Sequence, residues 1–395
     1  MSELNSIQGL SIPVTATHLR NFAFIERSRI RILAGWFIRL ANYEHKYMLA
    51  EHLYDASEHV TWFRKRLTEM RGGNPNASVR PELKCFLEDV LHAPSDSDFL
   101  AGFYGVLTRE ILATVIAEIG KMDRCANANE VRFLEKMRIT LETQMAWYST
   151  LGIHEKESSW ANHLAALLGS AGGLHGESTQ NAVPAPIAIE KFRIPKTVIL
   201  DSRITNTSLA SYADRQAMTP REATIAQFHV FFNELYAAAF LATILFDAEG
   251  GDYPWEMTED FSRHFWDESR HSQFGMIRLR EFGVEPSQVN LILFDEAQDL
   301  PVLHRIAYLT RGLEAFYMPR KPKRMKEYEG YGDVRSQIFA DQDWSDEITH
   351  VRYGSRWTDY LLENDQRDVD DVLDEVKAHL SKARGVVVTT VNSPF

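Results

Sequence analysis

Four stretches between residues 223 and 360 decide the fold: FHVFFNELYAAAFLA (Phe228–Ala242), WDESRHSQFG (Trp266–Gly275), RGLEAFYMP (Arg311–Pro319) and SDEITHVRYGSRW (Ser345–Trp357). They run in the order single Glu, Glu-x-x-His, single Glu, Glu-x-x-His. The residues concerned are Glu234, Glu268, His271, Glu314, Glu347 and His350. Residues three apart share one face of an α-helix, so each Glu-x-x-His pair aims two side chains at one point. The segment therefore predicts four antiparallel helices with these side chains inside.

The spacing and chemistry of this set match a two-metal carboxylate centre. One Glu-x-x-His is common on solvated helices, but two copies, each preceded by a Glu in an apolar helix, favour metal ligation. An Asp precedes each motif, and Asp267 and Asp346 can accept a hydrogen bond from a ligating imidazole. Ordinary surface charge is the alternative for these two. Gly275 and Gly354 leave room for either a small molecule or a close helix.

The two motifs resemble those of the ferritin-like di-iron carboxylate superfamily, which includes ribonucleotide reductase small subunits, bacterial monooxygenases and tRNA hydroxylases. DESRH at 267–271 matches its Asp-Glu-x-Arg-His signature, whereas DEITH at 346–350 has Thr349 in place of Arg. RGLEAFYMP followed by DEITHVRYGSRW is similar to an uncharacterised family of bacterial ferritin-like proteins. The resemblance covers residues 220–365. It implies an all-α fold with a ferritin-like four-helix bundle, and it implies no substrate.

The resemblance also implies a cofactor of two Fe ions, with a Mn/Fe pair as the alternative. The expected metal ligands are Glu234, Glu268, His271, Glu314, Glu347 and His350. Glu268 and Glu347 are expected to bridge the metals, with Asp267 and Asp346 behind the imidazoles. The expected function is O2-dependent oxidation of a small organic molecule by hydroxylation, desaturation or N-oxygenation, served by an external electron donor. A ferroxidase or other metal-binding protein, and a helical scaffold with a structural metal, are the alternatives.

Composition narrows the class of protein. The chain of 395 residues is long enough for two domains and is 45% hydrophobic and 25% charged, as is typical of soluble globular proteins. A net charge of −12 disfavours nucleic-acid binding. Cys85 and Cys125 suggest neither disulfides nor a zinc-thiolate site, which fits the cytoplasm. The N-terminus has no signal-peptide pattern, and no apolar run of about 18 residues predicts a membrane-spanning helix. The sequence leaves open whether the protein forms a homodimer.

A weak internal repeat is present. The aligned segments are EHLYDASEHVTWFRKRL (Glu51–Leu67) with RHFWDESRHSQFGMIRL (Arg263–Leu279), and LETQMAWY (Leu141–Tyr148) with DEITHVRY (Asp346–Tyr353). Ala56 then stands opposite Glu268 and Met145 opposite His350, while Glu142 meets Glu347. We expect a duplicated bundle whose first copy has lost its ligands. The alternatives are helical periodicity alone, or a second metal site formed by Glu44, His52, Asp55 and His59.

These patterns predict four parts: a degenerate bundle at 1–165, a connection at 166–219, the metal-binding bundle at 220–365, and a C-terminal helix and tail at 366–395. Residues 1–20 suggest an extended arm, 21–70 a helix, 197–200 a short strand, and 385–395 a β-prone tail. A predicted loop at 318–333 carries the basic cluster Arg320, Lys321, Lys323, Arg324 and Lys326. It is either a solvated loop or a lid that recruits a carboxylate or phosphate.

Overall fold

The computed structural model describes residues 9–77, 79–154, 157–178, 182, 184 and 189–384. These residues are predominantly helical, so the all-α prediction is confirmed. Two short parallel strands, β1 (Thr205–Asn206) and β2 (Gln288–Val289), pair with each other. The strand expected at 197–200 is wrong, because β1 begins five residues beyond that segment. The predicted β-prone tail at 385–395 lies outside the described residues.

Helices of the first half are, in chain order, α1 (Ile12–Arg39), α2 (Tyr43–Glu69), α3 (Pro81–Leu91), α4 (Asp96–Leu100), α5 (Arg109–Lys121), α6 (Ala128–Ser149) and α7 (Ser159–Ser170). A π-helix, π1 (Ala101–Thr108), joins α4 to α5. Those of the second half are α8 (Tyr212–Arg215), α9 (Pro220–Gly250), α10 (Trp255–Glu281), α11 (Ile292–Ala297), α12 (Val302–Ile306), α13 (Ala315–Tyr317), α14 (Lys321–Tyr331), α15 (Val334–Leu362) and α16 (Val369–Arg384). A second π-helix, π2 (Ala307–Glu314), joins α12 to α13, and a 3-10 turn, Met318–Arg320, precedes α14.

Two compact units divide the described chain. The first comprises Met1–Ile32 and Asp55–Arg193, and the second comprises Leu33–Tyr54 and Ile194–Phe395. Helices α1 and α2 are divided between the units. The predicted boundaries at residues 165, 219 and 365 stay a prediction. They separate a bundle without a full ligand set, a connecting segment, a metal-binding bundle and a C-terminal part, whereas the two units are defined by their compactness alone.

Three further local predictions are wrong. The N-terminal segment is helical from Ile12, because apolar residues at helical spacing are buried there. The helix expected over 21–70 is two helices. Asn42 accepts a hydrogen bond from the amide of His45, 2.9 Å away, and so caps α2. The buried ammonium of Lys46 donates to the carbonyl oxygens of Phe37 and Ile38 near the end of α1, which satisfies groups that a helix end leaves unpaired.

The third wrong prediction is the basic loop, whose residues 321–331 form helix α14. Pro322 sits in the first turn, where its missing amide is tolerated. Gly332 ends the helix with a φ of 70°, the left-handed conformation that favours glycine. Pro322 and Gly332 therefore mark the two ends of a helix. Lys321 and Tyr328 of this helix are buried.

In the second unit, four helical segments pack side by side with alternating direction. Helices α9 and α10 are antiparallel, since Thr258 contacts Glu249 and Ser272 contacts Phe232. Helices α10 and α15 are antiparallel, as the contacts Arg278–Ser336 and Trp357–Asp260 show. Helix α9 and the α12–π2 segment are antiparallel too, as Arg305–Asp247 and Phe240–Tyr308 show. Helix α15 therefore runs opposite to the α12–π2 segment, which it contacts through Arg311 and Ser355.

Two of the described helices are long and apolar enough to cross a membrane, Asp96–Lys121 and Pro220–Gly250. Most of each is buried within the protein, 61% and 72% of the most apolar window, as is usual for core helices of a soluble protein.

Gly275 and Gly354 mark the closest helix contacts. A Cβ on Gly275 would lie 2.2 Å from the amide nitrogen of Phe232 in α9, and one on Gly354 would lie 1.9 Å from Oγ1 of Thr310 in π2. Of the two roles considered for these glycines, close helix packing is the one observed. The glycines let α9, α10, π2 and α15 approach closely enough to place their acidic side chains in one interior.

We therefore expect Gly275→Ala to lower the free energy of unfolding by about 1–3 kcal/mol, because the backbone of α9 must move. The measurement is denaturant unfolding of the full chain. The control is Gly330→Ala in α14, where a Cβ meets nothing within 4 Å and where Ala should stabilise by roughly 0.5–1 kcal/mol. Equal stability of the Gly275 variant and the wild type would contradict the packing role.

Candidate metal centre

All six predicted ligands come together in the second unit. Their ligand atoms fall into three overlapping groups, within each of which the atoms lie within 4.8 Å of one another: His264, Glu268, Glu314 and His350; Glu268, His271 and Glu347; and Glu234, His271 and Asp343. Glu268 and His271 each occur in two groups. The arrangement could hold a metal ion, and it also includes residues that the sequence analysis did not select.

The helices determine how each side chain reaches the interior. Glu234 comes from α9, while α10 and α15 each contribute the Glu and His of one motif. Glu314 is the last residue of π2. A π-helix widens the helical turn and is frequent at functional sites. Here it ends on Glu314, which, like Glu234, is a predicted ligand without a partner three residues away on its own helix.

Each aspartate of the Asp-Glu-x-x-His motifs contacts the histidine of the other motif. Nε2–H of His271 donates to Oδ2 of Asp346 at 3.1 Å, and Nε2–H of His350 donates to Oδ2 of Asp267 at 3.4 Å. The aspartates were expected behind the imidazoles, and only the structure shows that the pairing crosses between α10 and α15. Because Nε2 is occupied, Nδ1 of each ring faces the carboxylates, 3.5 Å from Glu234 and 3.3 Å from Glu268 respectively.

One arginine, Arg270, donates hydrogen bonds to both aspartates. Its Nη2 lies 2.7 Å from Asp267 and 2.5 Å from Asp346. Arg263 adds a contact of 2.8 Å to Asp267 and a longer one of 3.8 Å to Asp346. Burial raises the pKa of both aspartates, but the imidazole that each one faces and the arginine contacts outweigh it and lower the pKa below the ordinary value. Arg270 thus lies between the two carboxylates, although the second motif has Thr349 in place of an arginine.

Three residues at the centre were missed by the sequence analysis as ligand candidates. His264 lies 2.9 Å from Glu314 and 3.5 Å from Glu268, and Asp343 lies 3.7 Å from Nδ1 of His271. A signal for both exists in the sequence. Each precedes the Glu of its motif by four residues, which is the same helix face. The third residue, Lys321, lay in the segment predicted to be a loop.

Lys321 places a buried ammonium among the carboxylates. Its Nζ donates to Oδ1 of Asp343 at 2.7 Å and to Oε1 of Glu347 at 2.8 Å. Although burial lowers the pKa of a lysine, the charges of Asp343 and Glu347 raise that of Lys321 above its ordinary value. This ammonium is consequently a permanent positive charge, which offsets part of the acidic cluster.

The carboxyl groups at the centre differ in protonation. Burial and the nearby Asp343 raise the pKa of Glu234 well above its ordinary value. Burial acts in the same direction on Glu268, but the neighbouring imidazoles of His264 and His350 lower its pKa well below the ordinary value. Glu268 therefore carries a firm negative charge while Glu234 readily holds a proton. Such divergence within one cluster is frequent at functional sites.

The centre concentrates buried polar atoms that have no hydrogen-bond partner within the described chain. They are Oε2 of Glu234, Oε1 of Glu268, Oε2 of Glu314, Oδ2 of Asp343, Oε2 of Glu347, and Nδ1 of His264, His271 and His350. An unpartnered buried polar atom costs about 1–3 kcal/mol. Oxygen and imidazole nitrogen donors of this kind suit a first-row transition metal. The donor set thus fits a metal ion on its own chemistry.

The alternative second site at Glu44, His52, Asp55 and His59 is not found as a group of ligand atoms in the part of the chain that the structure describes. Glu44 binds Arg203 and Arg280, at 3.2 and 2.9 Å. Asp55 accepts a hydrogen bond from Gln144, 2.9 Å away.

A further His/Glu group lies in the first unit, where His18, Glu118 and His175 approach one another. Both ring nitrogens of His18 are already engaged, by Glu118 at 2.8 Å and by Glu177 at 2.9 Å. These two contacts suit an ion-paired structural histidine.

A cavity of about 620 Å³ leads to the centre within the second unit. Glu234, Glu268, Glu314 and Glu347 all line it, so four of the six predicted ligands border the space that a molecule inside would fill. The rest of its wall comes from α8, α9, π2, α11 and the segment around α14. Its volume lies in the range of ordinary small-molecule sites, about 300–1,000 Å³.

Comparison with known proteins gives a family and no function. No curated protein and no solved structure matches the chain. Residues 179–394 match the family described as "Protein of unknown function (DUF455)". The match spans more than half of the 395 residues and includes every residue of the carboxylate and histidine centre. The chain therefore belongs to the DUF455 family.

Proposed function

We propose that this protein is a ferritin-like oxidoreductase that holds two iron ions at the centre and uses O2 to oxidise a small organic molecule. One observation carries the proposal: eight buried, unpartnered donor atoms of four helical segments converge at the end of a cavity. Hydroxylation, desaturation and N-oxygenation all fit such a site. Insertion of one oxygen atom into a C–H bond also needs two electrons and two protons from an external donor, and yields one water.

The charges of the centre support two divalent ions rather than one. Five carboxylates meet there, those of Glu234, Glu268, Glu314, Asp343 and Glu347. The ammonium of Lys321 offsets one of them, and four negative charges remain when all five are ionised. Two divalent cations balance that number. Asp267 and Asp346 stay outside this balance because Arg263 and Arg270 pair with them.

Two iron ions would supply the redox chemistry that reduces O2, and the protein supplies position, charge and access. Glu268 and Glu347, which belong to the group containing His271, would hold the metal ions together with that imidazole. His271 and His350 are oriented by Asp346 and Asp267, which strengthens an imidazole as a ligand. The cavity brings the substrate to the carboxylate side of the centre.

The cavity favours an enzyme over the alternative functions. A scaffold with a structural metal needs ligands on every side, whereas four of the carboxylates here line an open space. A ferroxidase needs only an entry path for iron. The apolar wall of the cavity, formed by Val230, Ala237, Leu293, Leu309 and Leu313, suits an organic molecule instead. tRNA hydroxylation is disfavoured by the net charge of −12.

The helix packing of the second unit supports a ferritin-like bundle, because four antiparallel segments surround the ligands. Burial supports a duplication. Twelve buried positions of α2 recur in α10 exactly 212 residues later; the α2 positions are 43, 46, 49, 50, 52, 53, 56, 57, 59, 60, 63 and 67. In α6 and α15 the match is best at a spacing of 206, which places Leu141 opposite Glu347 and Gln144 opposite His350. This register is one residue away from the alignment that paired Glu142 with Glu347.

The first unit contains its own cation, which supports the loss of metal binding there. Arg29 donates to both oxygens of Glu26 at 2.9 Å and to Gln144 at 2.6 Å. Gln144 in turn donates to Asp55 at 2.9 Å. Burial raises the pKa of Glu26, but Arg29 and His59 lower it overall. A guanidinium thus occupies this buried acidic cluster.

The first prediction concerns metal content. We expect about two irons per wild-type chain and a transient chromophore when O2 meets the Fe(II)-loaded protein. Glu268→Ala should abolish both, because it removes a carboxylate shared by two ligand groups. The control is Glu142→Ala, an exposed residue that pairs with Arg138 of its own helix. Elemental analysis and stopped-flow absorbance test this. Zinc alone, with no response to O2, would overturn the proposed function.

The second prediction concerns Lys321. Lys321→Met should lower the stability of the metal-free protein by about 3 kcal/mol, because Asp343 and Glu347 lose their counter-charge in the interior. Bound metal should restore most of that loss. Lys326→Met, at an exposed position of the same helix, should change stability by less than about 0.5 kcal/mol. Thermal unfolding with and without Fe(II) checks this, and an equal loss in both states would contradict it.

The third prediction concerns pH. Burial lowers the pKa of His350, but Asp267 and Glu268 outweigh it and raise the pKa well above the ordinary value. The metal-free protein therefore holds protons on His350 and Glu234 that a metal must displace. Metal affinity should rise with pH between about 6 and 8, up to tenfold per pH unit for each proton displaced. Calorimetric titration in two buffers of different ionisation enthalpy counts the protons. Affinity independent of pH would contradict this.

A further inference from the structure

The cavity carries an unusual concentration of positive charge for an acidic protein. Three arginines line it, Arg215 on α8, Arg320 in the turn before α14, and Arg324 on α14. The same three line a neighbouring cavity of about 390 Å³. The carboxylates of the metal centre line only the larger cavity. The arginines therefore lie where the two cavities share their walls.

These arginines have few acidic partners among the described residues. Arg215 donates to the carbonyl oxygen of Ala210, at 2.9 and 3.3 Å, and to the side chain of Gln227, all of them neutral groups. Burial and the nearby Arg324 lower its pKa, and the more distant charge of Glu327 offsets this only in part. Such a guanidinium is stabilised by an anion that reaches the cavity.

Arg320 and Arg324 are held by aromatic rings instead. Arg320 stacks over Tyr317 at 4.7 Å and over Phe316 at 5.7 Å, and no described carboxylate forms an ion pair with it. Arg324 stacks over Phe231 at 5.5 Å, with Asp343 as its acidic contact at 3.9 Å. A stacked guanidinium is fixed in place while its N–H groups stay free to donate in the plane.

One carboxylate near the three arginines, that of Glu327, competes with an external anion for them. Glu327 lines the smaller cavity, where its Oε1 accepts a hydrogen bond from the hydroxyl of Tyr212 at 3.2 Å. It does not line the larger cavity, in which the three arginines face an apolar wall and the metal centre. A ligand that satisfies both regions has an anionic end and an apolar body.

We propose that the substrate is an amphipathic organic anion whose carboxylate or phosphate head group is bound by Arg215, Arg320 and Arg324, with its apolar body extending toward the carboxylate and histidine centre. Asp343 connects the arginines to the centre. Its carboxylate lies 3.9 Å from Arg324 and 3.7 Å from Nδ1 of His271. A head group at Arg324 is thus close to the metal ligands, and the adjoining apolar chain is presented to them. This inference rests on the proposed function for the site of oxidation, whereas the binding of the anion stands on its own.

The test is calorimetric binding to the full-length, metal-free protein, in which iron cannot hold the head group. The probes are octanoate, octyl phosphate, 1-octanol and inorganic phosphate. We expect octanoate or octyl phosphate to bind at least tenfold more tightly than 1-octanol, and the tighter of the two identifies the head group. Inorganic phosphate should compete with it. Equal affinity for 1-octanol and both anions would overturn the proposal.

Variants assign the binding to the arginines. Arg320→Gln, which retains an amide donor at a partly exposed position, should weaken binding of the preferred anion at least tenfold, and Arg324→Gln should do the same. Lys326→Gln, on the same helix but outside both cavities, should bind as the wild type does. Wild-type affinity in both arginine variants would overturn the proposal. Iron content is measured on the same samples. Anion binding without iron refutes the proposed function alone, and iron binding without anion binding refutes this inference alone.

Discussion

The second unit depends on one electrostatic constraint, the gathering of five carboxylates and three imidazoles in its interior, where all but the half-buried Glu234 are buried. Ionised carboxylates are costly to bury without positive partners. Lys321 supplies one such partner from within the protein, and bound metal ions would supply others. Burial and Asp343 raise the pKa of Glu234, whereas the imidazoles of His264 and His350 lower the pKa of Glu268 against the effect of burial. The surrounding helices hold these groups together against their mutual repulsion.

That support is arranged in layers around the centre. Asp267 and Asp346 orient the imidazoles across the α10–α15 contact, and Arg270 holds both aspartates. Gly275 and Gly354 allow the helices to approach closely. Helix α14 links the centre to the cavity, because its first residue is the buried Lys321 and its next turn contains Arg324 on the cavity wall. Charge compensation and access to the site thus come from the same short helix.

The two halves of the chain have similar patterns of buried positions, but their buried acidic groups are neutralised in different ways. In the first unit, the buried acid Glu26 is neutralised by Arg29, and Gln144 completes the network. In the second unit the interior is acidic beyond what its own cations offset. Under the proposed duplication, Ala56 stands where helix α10 has Glu268, and the missing carboxylate contributes to this difference.

The sequence by itself determined the all-α fold and the order of the six glutamate and histidine residues, because helical periodicity and Glu-x-x-His spacing are local properties of one helix. It also contained the signals for His264 and Asp343, four residues before each motif Glu. Only the tertiary structure decided that Lys321 is interior, that each aspartate serves the other motif's histidine, and that three arginines share one cavity. These features join residues from different helices. Side-chain contacts between helices depend on how the helices pack, and no local spacing in the sequence encodes that.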